Sequence, residues 1–230
     1  MNVFAFQILP IFTLVIFVAG MWYRFSIWGK APQPGKMVLF PKPEGSTAGA
    51  VIKASLFFPG PFKSNKLLWL YSWVFHATLG LIIVGHARVF ADFPALWAAL
   101  NINADKMSAA SGGAAGVIIL VAGVMLLLRR FGSKVMREIT GFPDIFALLL
   151  ILAVIITGDV MRFGEHFDLN ITRAYFSQLL TLSFKNMVLP ENTMFRLHFL
   201  LAQLMIIYIP FSKIMHFGGI FFTQNLIKDS

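Results

Sequence analysis

Five histidines occur in the chain: His76, His86, His166, His198 and His216. Four of them lie in two long apolar runs, HATLGLIIVGH (76–86) and HFLLAQLMIIYIPFSKIMH (198–216), where the pairs stand ten and eighteen residues apart. An imidazole carries protons near neutral pH and is the commonest metal ligand. At about 100° per helical residue, eighteen residues complete five turns and place His198 and His216 on one face. Ten residues leave His76 and His86 about 80° from a common stripe, which tilt and side-chain rotation must absorb. A lone histidine in such a run is explained by a hydrogen bond to a neighbouring helix, but four in two pairs are not, because ionisable groups in an apolar interior are costly and mark function.

The elements that carry these residues are set by composition. Of 230 residues, 58% are hydrophobic and 13% charged, with 25 Phe and a mean hydropathy of +0.77. Soluble domains carry about 25% charged residues, so the deficit excludes a water-facing surface and predicts an integral membrane protein. Spans are expected near 3–23, 67–90, 109–128, 143–162 and 195–217, each approaching the about 20 residues that cross a hydrocarbon core. The first run carries no basic residue ahead of it (MNVFAFQ), with Arg24 following, so it reads as a retained span rather than a cleavable signal.

Basic residues set the expected orientation. The 24–66 connection holds Arg24, Lys30, Lys36, Lys42, Lys53, Lys63 and Lys66 against Glu44, and the connection after span three holds Arg129, Arg130, Lys134 and Arg137. Segment 91–108 has only Lys106 against Asp92 and Asp105. The expectation is one all-α domain over 1–230, a five-helix bundle in the inner (cytoplasmic) membrane. Its N-terminus lies outside and its C-terminus inside, with an inner loop at 24–66 and an outer loop at 163–194. The net charge of +9 then reflects the positive-inside bias and an acidic cytoplasmic partner, with no nucleic acid needed. With no cysteine, thiolate-held clusters and thioether haem attachment are excluded on this chain.

Within the loops, APQPGKMVLFPKPEGSTAG reads as irregular. VIKASLFFPGPFKSNK, mixing apolar and basic residues, reads as an interfacial segment or a docking surface. In the outer loop, ITRAYFSQLLTLSF has the spacing of a short amphipathic helix lying on the membrane. Gly112 and Gly116, in SGGAAG, predict close helix–helix packing. Pro143 and Asp144 suit the first turn of span four.

Haem iron takes axial imidazoles, and facing helices of a bundle supply them. Spans two and five run in opposite directions, so topology pairs His76 with His216 on the inner side and His86 with His198 on the outer. This predicts two haems b. With both axial positions filled, no open site is left for oxygen chemistry, and electron transfer remains. Straight helices separate the pairs by about 15 Å on span two and about 27 Å on span five, a mismatch that a kink at Pro210 would reduce. Arg88, Arg196 and Lys213, close in sequence to ligands, read either as partners of the haem propionates or as interfacial anchors. His166, beside Glu165, reads as an interfacial histidine, with a proton relay as the alternative. Asp159 reads as the local partner of Arg162, with proton acceptance as the alternative. A proton or ion transporter would place Asp, Glu or Ser between the histidines, where this chain has Leu, Ile, Val, Phe and Met.

HATLGLIIVGH, DKMSAASGGAAG and FRLHFLLAQLMIIYIPFSKIMH together resemble the gamma-subunit cytochromes b of respiratory nitrate reductases. The resemblance covers most of the chain. It implies that the four histidines ligate two haems b, that quinol is oxidised near the outer haem, and that electrons pass to a cytoplasmic iron–sulfur subunit within a larger respiratory complex of membrane or periplasmic subunits. Through the pattern K-M-x-x-x-x-G-G it also places the family's quinone-site lysine at Lys106, otherwise an exposed loop lysine. The long proline-rich 24–66 connection and the end HFGGIFFTQNL are more similar to the membrane cytochromes of heterodisulfide-reductase-like complexes, including menaquinol-linked ones associated with sulfite reduction. That similarity implies menaquinone as the quinone and an acceptor other than nitrate.

Overall fold

The computed structural model describes residues 4–30, 47–164 and 168–219. Among these there are helices and turns and no strand. Five helices are long and apolar enough to cross a membrane, Phe4–Gly29, Lys66–Val89, Ala104–Arg129, Phe142–Phe163 and Thr193–Phe211, and the chain is a multi-pass membrane protein. We label the α-helices α1 (Leu9–Gly29), α2 (Thr47–Phe57), α3 (Pro59–Ser64), α4 (Lys66–His86), α5 (Pro94–Ala99), α6 (Ala104–Arg129), α7 (Lys134–Ile139), α8 (Phe142–Phe163), α9 (Leu169–Leu180) and α10 (Thr193–Tyr208).

Side chains start these helices where the sequence offers acceptors. Asn65, Asn103, Ser133, Asp168 and Asn192 each accept a backbone N–H of the following first turn, satisfying donors the helix itself leaves free. α8 begins with Pro143 in its first turn and Asp144 accepting from Gly141 N at 3.0 Å. The amphipathic helix expected in the 163–194 loop is α9. The basic stretch after Gly49 is also helical: α2 and α3 fold back on α4, whose Trp69 and Trp73 indoles donate to Phe57 O and Leu56 O at 2.8 and 2.9 Å. The proline-rich segment ahead of it, APQPGKMVLFPKPEGS, lies outside the described residues.

Two expected boundaries are corrected. The first span runs on to Gly29, so Arg24 belongs to a helix rather than to a loop. Its Nε donates to Pro210 O at 2.8 Å. The last helix stops at Tyr208, not at 217. Pro210 has no N–H to offer the Ile206 carbonyl, so the helix cannot continue through it. The chain goes on as short 3-10 turns, Ile209–Phe211 and Lys213–Met215, separated by an extended Ser212 (φ −122°, ψ 172°). α1 comes close at this break because residue 20 is glycine: a Cβ there would meet Pro210 Cβ at 2.7 Å.

The closely packed neighbours form the series α4–α6–α8–α10–α1. Buried side chains gather at two places: Phe6, Tyr175, Met187, Leu189 and Phe195 at one end, and Phe75, Ile119 and Ala122 between α4 and α6. The first is pinned by Tyr175 donating to Phe6 O at 2.7 Å. Many large apolar side chains, Leu81, Ile83 and Val84 among them, are exposed, as helices facing lipid require. α4 and α10 stand apart in the series of neighbours yet bring side chains together, so the series curls and closes on itself.

Candidate functional site

The curl joins α4 to the α10 segment through its histidines. The His76 and His216 ring centroids lie 5.8 Å apart with planes at 87°, and those of His86 and His198 lie 6.3 Å apart at 15°. The antiparallel pairing expected from topology is the juxtaposition observed. The unequal spacings are reconciled by the end of α10 at Tyr208, because His216 is not carried on a straight continuation of the helix that holds His198.

All four rings are oriented in one way. Nδ1 of His76 lies 2.7 Å from Ser72 O, of His86 2.7 Å from Ile82 O, of His198 3.0 Å from Val154 O, and of His216 3.0 Å from Lys213 O. A carbonyl only accepts, so each Nδ1 carries the proton and each Nε2 keeps its lone pair. This arrangement fixes the tautomer of a metal-ligating histidine and raises its basicity. The centroid separations also suit a shared metal. Two metal–nitrogen bonds, about 2.0–2.1 Å for zinc, with roughly 1.1 Å from each nitrogen to its ring centre, span about 6 Å. Among the described residues no cluster of three or more His, Cys, Asp or Glu side chains could hold a metal ion. A metal held by two imidazoles alone needs its remaining ligands from a cofactor, and a haem, with four equatorial nitrogens and two axial positions, fits that donor set.

Neighbouring helices brace the rings. Thr157 Oγ1, 3.1 Å from His198 Nδ1, accepts a share of that N–H while its own hydrogen turns to the Ala153 carbonyl at 2.8 Å. Gly158 gives the imidazole room: a Cβ there would meet His198 Cε1 at 3.3 Å. His76 is flanked edge-on by Phe58 and Phe75, with centroids at 5.2 and 5.4 Å. Phe58 sits at the α2–α3 break with φ 47°, left-handed backbone that is unfavourable for a bulky side chain. Sequence reading missed Thr157, Gly158 and Phe58; the small and polar ITGD within an apolar span was the available signal.

The cations expected near ligands already have partners. Arg88, in the turn after His86, donates to Ala104 O at 3.1 Å, Asp92 at 3.1 Å and Asp105 at 3.0 Å, while its Nε is buried without a hydrogen-bond partner. Asp92 is the hub of this corner. It accepts from the Trp97 indole at 2.8 Å, from Arg88, from Arg173 at 2.6 Å and from Phe93 N at 3.0 Å. The Trp97 hydrogen bond first, then those from Arg88, Arg173 and Phe93 N, hold its carboxyl far below the ordinary carboxylate range. Lys106 is exposed in the first turn of α6, two residues from the carbonyl that Arg88 grips. Arg196 Nε donates to Pro190 O at 3.1 Å. Lys213, beside the His216 turn, reaches Asp144 Oδ1 at 2.9 Å and so clamps the end of the α10 segment to the start of α8.

One local expectation fails. Among the described residues no ion pair joins Asp159 to Arg162; both side chains instead fill the surface of α6 left open by Gly116 and Gly112, and Asp159 Oδ2 is buried without a hydrogen-bond partner. The i,i+3 spacing permits the pair, but the glycines offer each side chain a separate groove. His166 and Glu165 lie outside the described residues.

Residues 60–225 match the family model described as nitrate reductase gamma subunit, a range that contains both histidine pairs. The chain belongs to the nitrate reductase gamma subunit family. Among curated relatives, the Hdr-like menaquinol oxidoreductase cytochrome b-like subunit of Archaeoglobus fulgidus is 31% identical, over 97% of this chain and 79% of that protein. The respiratory nitrate reductase 1 gamma chain of Escherichia coli is 25% identical, over 96% of this chain and 92% of its own length. The nitrate reductase gamma chain of Bacillus subtilis is also 25% identical, over 91% and 87% respectively. The family is thus one of membrane cytochrome b subunits of menaquinol oxidoreductase or nitrate reductase complexes.

Proposed function

We propose that this chain is the di-haem b subunit that exchanges electrons between a quinone pool and a cytoplasmic iron–sulfur subunit of an anaerobic respiratory complex. The observation that carries the reading is the pair of facing imidazole pairs, each ring with its Nδ1 hydrogen bonded to a backbone carbonyl. His86 and His198 would hold the outer haem b, and His76 and His216 the inner one, with the N-terminus outside and the C-terminus inside. Held by these histidines, a haem b would supply one-electron transfer.

The chain's own work is holding and orienting. The four carbonyls and Thr157 hold the rings in place. Arg88 offers its buried, unpartnered Nε to a propionate, a charge-assisted contact; Arg196 on α10 and Lys213 in the turn beyond it would serve the same purpose. Lys106, at the outer end of α6 beside the Arg88 corner, would donate to a quinone oxygen. Quinol protons would be released on the outer side, and the His76/His216 end would face the partner subunit that holds a cluster, since this chain has no cysteine to hold one. Identity of 31% to the Hdr-like menaquinol oxidoreductase relative against 25% to the nitrate reductase chains favours menaquinone and a heterodisulfide-reductase-like complex over nitrate reductase, and we take it to be of the sulfite-reduction-associated type that the sequence resembles.

A pyridine haemochrome assay on the purified chain tests the reading. It should give close to two haems b per chain; a value of zero eliminates the proposal and returns the four histidines to a proton pathway or helix-bridging role.

A further inference from the structure

Asp159 is a half-buried titratable group on a membrane-spanning helix that this mechanism does not use. It hangs from α8 beside the outer histidine pair: Thr157 hydrogen-bonds His198, Gly158 abuts its ring, and the next side chain, Asp159, turns into α6 at Gly116. A Cβ at Gly116 would collide with the carboxyl, so the glycine makes the space the carboxyl fills. One carboxyl oxygen, Oδ2, is buried with no hydrogen-bond partner. A buried polar atom left so calls for an explanation, and a carboxylate in an apolar interior is costly unless it finds a cation or takes up a proton.

Among the described residues no cation forms an ion pair with Asp159. α6 presents Gly112, Gly113 and Gly116 to this stretch of α8, none of them ionisable. On α8 itself Arg162 lies against Gly112 without an ion pair to Asp159 among the described residues. α10 brings His198, whose Nδ1 proton is already committed to Val154 O and Thr157, and Arg196, whose Nε is taken by Pro190 O. What remains available to Asp159 is a proton.

We infer that Asp159 is a proton acceptor coupled to the electron held at the outer histidine pair. This rests on the reading that His86 and His198 hold a haem. One electron arriving there from quinol is matched by one proton taken from the outer aqueous phase onto the Asp159 carboxylate, which becomes a neutral carboxyl. When the electron leaves inward, the proton returns outward. The added negative charge and the added proton cancel within one layer of side chains, which lowers the cost of placing charge in a medium that screens poorly.

Redox titration of the purified chain at several pH values tests this. A one-electron, one-proton couple moves by about 59 mV for each tenfold change in proton activity. The His86/His198 transition should approach that slope over part of the pH range and the His76/His216 transition should not. Asp159→Asn should flatten the outer slope with both haems retained, and Glu191→Gln, an exposed carboxyl in the connection before α10, should leave it unchanged. Redox-difference infrared spectra should show a protonated-carboxyl stretch that disappears in Asp159→Asn. Asp159→Leu guards against an asparagine that mimics the neutral acid, and should give the same flat slope. Two haems with an outer slope identical in wild type and both Asp159 variants overturn the inference while leaving the haem assignment intact. A wild-type chain without haem overturns the assignment itself, and the inference with it.

Discussion

The two histidine pairs are built by different means. His86 and His198 both stand on regular helix, their rings nearly parallel, and a third helix braces His198: α8 lends the Val154 carbonyl, the Thr157 hydroxyl and the clearance of Gly158. His76 is on regular helix, but its partner His216 follows a chain that has left the helix at Pro210, and their planes are nearly perpendicular. There the support is aromatic, from Phe58 and Phe75, together with two clamps, Arg24 on Pro210 O and Lys213 on Asp144. One site depends on helix packing and the other on a broken helix held in place. Each should therefore fail to a different set of substitutions, and separately.

The largest effect is removal of a ligand. His86→Ala and His198→Ala should each abolish the same one of two redox transitions and reduce haem content from about two per chain to about one, while His76→Ala and His216→Ala abolish the other. A shared loss between His86→Ala and His216→Ala would break the pairing.

Next come substitutions aimed at one construction only. Gly158→Val places side-chain atoms where His198 Cε1 lies, an overpacking that costs about 1–3 kcal/mol. It should displace or abolish the His86/His198 transition and leave the other in place. Pro210→Ala restores the missing backbone donor and lets α10 propagate toward Ser212. It should perturb the His76/His216 transition alone, read in the same titration. If either change moved both transitions equally, the two sites would not be mechanically separate.

The corner after His86 gives a pH-dependent test. The folded Asp92 carboxyl lies below its ordinary value of 3.8, so its contribution is fully present above that value and is lost as pH falls through the lower, folded one. Thermal unfolding in detergent should show Asp92→Asn less stable than wild type by a constant margin from neutrality down to about pH 4–5, the margin narrowing in stronger acid. A margin that grew on acidification would contradict the hub. Hydrogen exchange at Arg173 and Trp97 should rise in the same variant.

The smallest effect sharpens the comparison. Thr157→Val removes one of two acceptors for the His198 Nδ1 proton, about 0.5–1.5 kcal/mol. If that energy falls on one oxidation state, the outer potential moves by roughly 20–60 mV, with the inner one unmoved.

Much of this was legible in the residues. The five spans follow from apolar run length, and the paired histidines stand out because ionisable groups are scarce in such runs. Other features were not. Arg24 looked like a loop cation because charge usually ends a span, yet its side chain has a carbonyl to cap at the Pro210 break. Asp159 and Arg162 looked like a local pair because spacing allowed it, yet Gly112 and Gly116 on another helix draw each aside. Thr157 and Gly158 were overlooked because small residues in a span usually serve packing alone.

Sequence by itself determined that the chain carries, among the described residues, five helices long and apolar enough to cross a membrane and two pairs of imidazoles in or just beyond two of those segments, because run length and residue spacing are one-dimensional properties. The tertiary structure decided how far α10 continues, which carbonyl fixes each ring, and which carboxyl is left without a partner. Those depend on side chains from helices distant in sequence meeting at distances of 3 Å or so, which no periodicity within a single segment encodes.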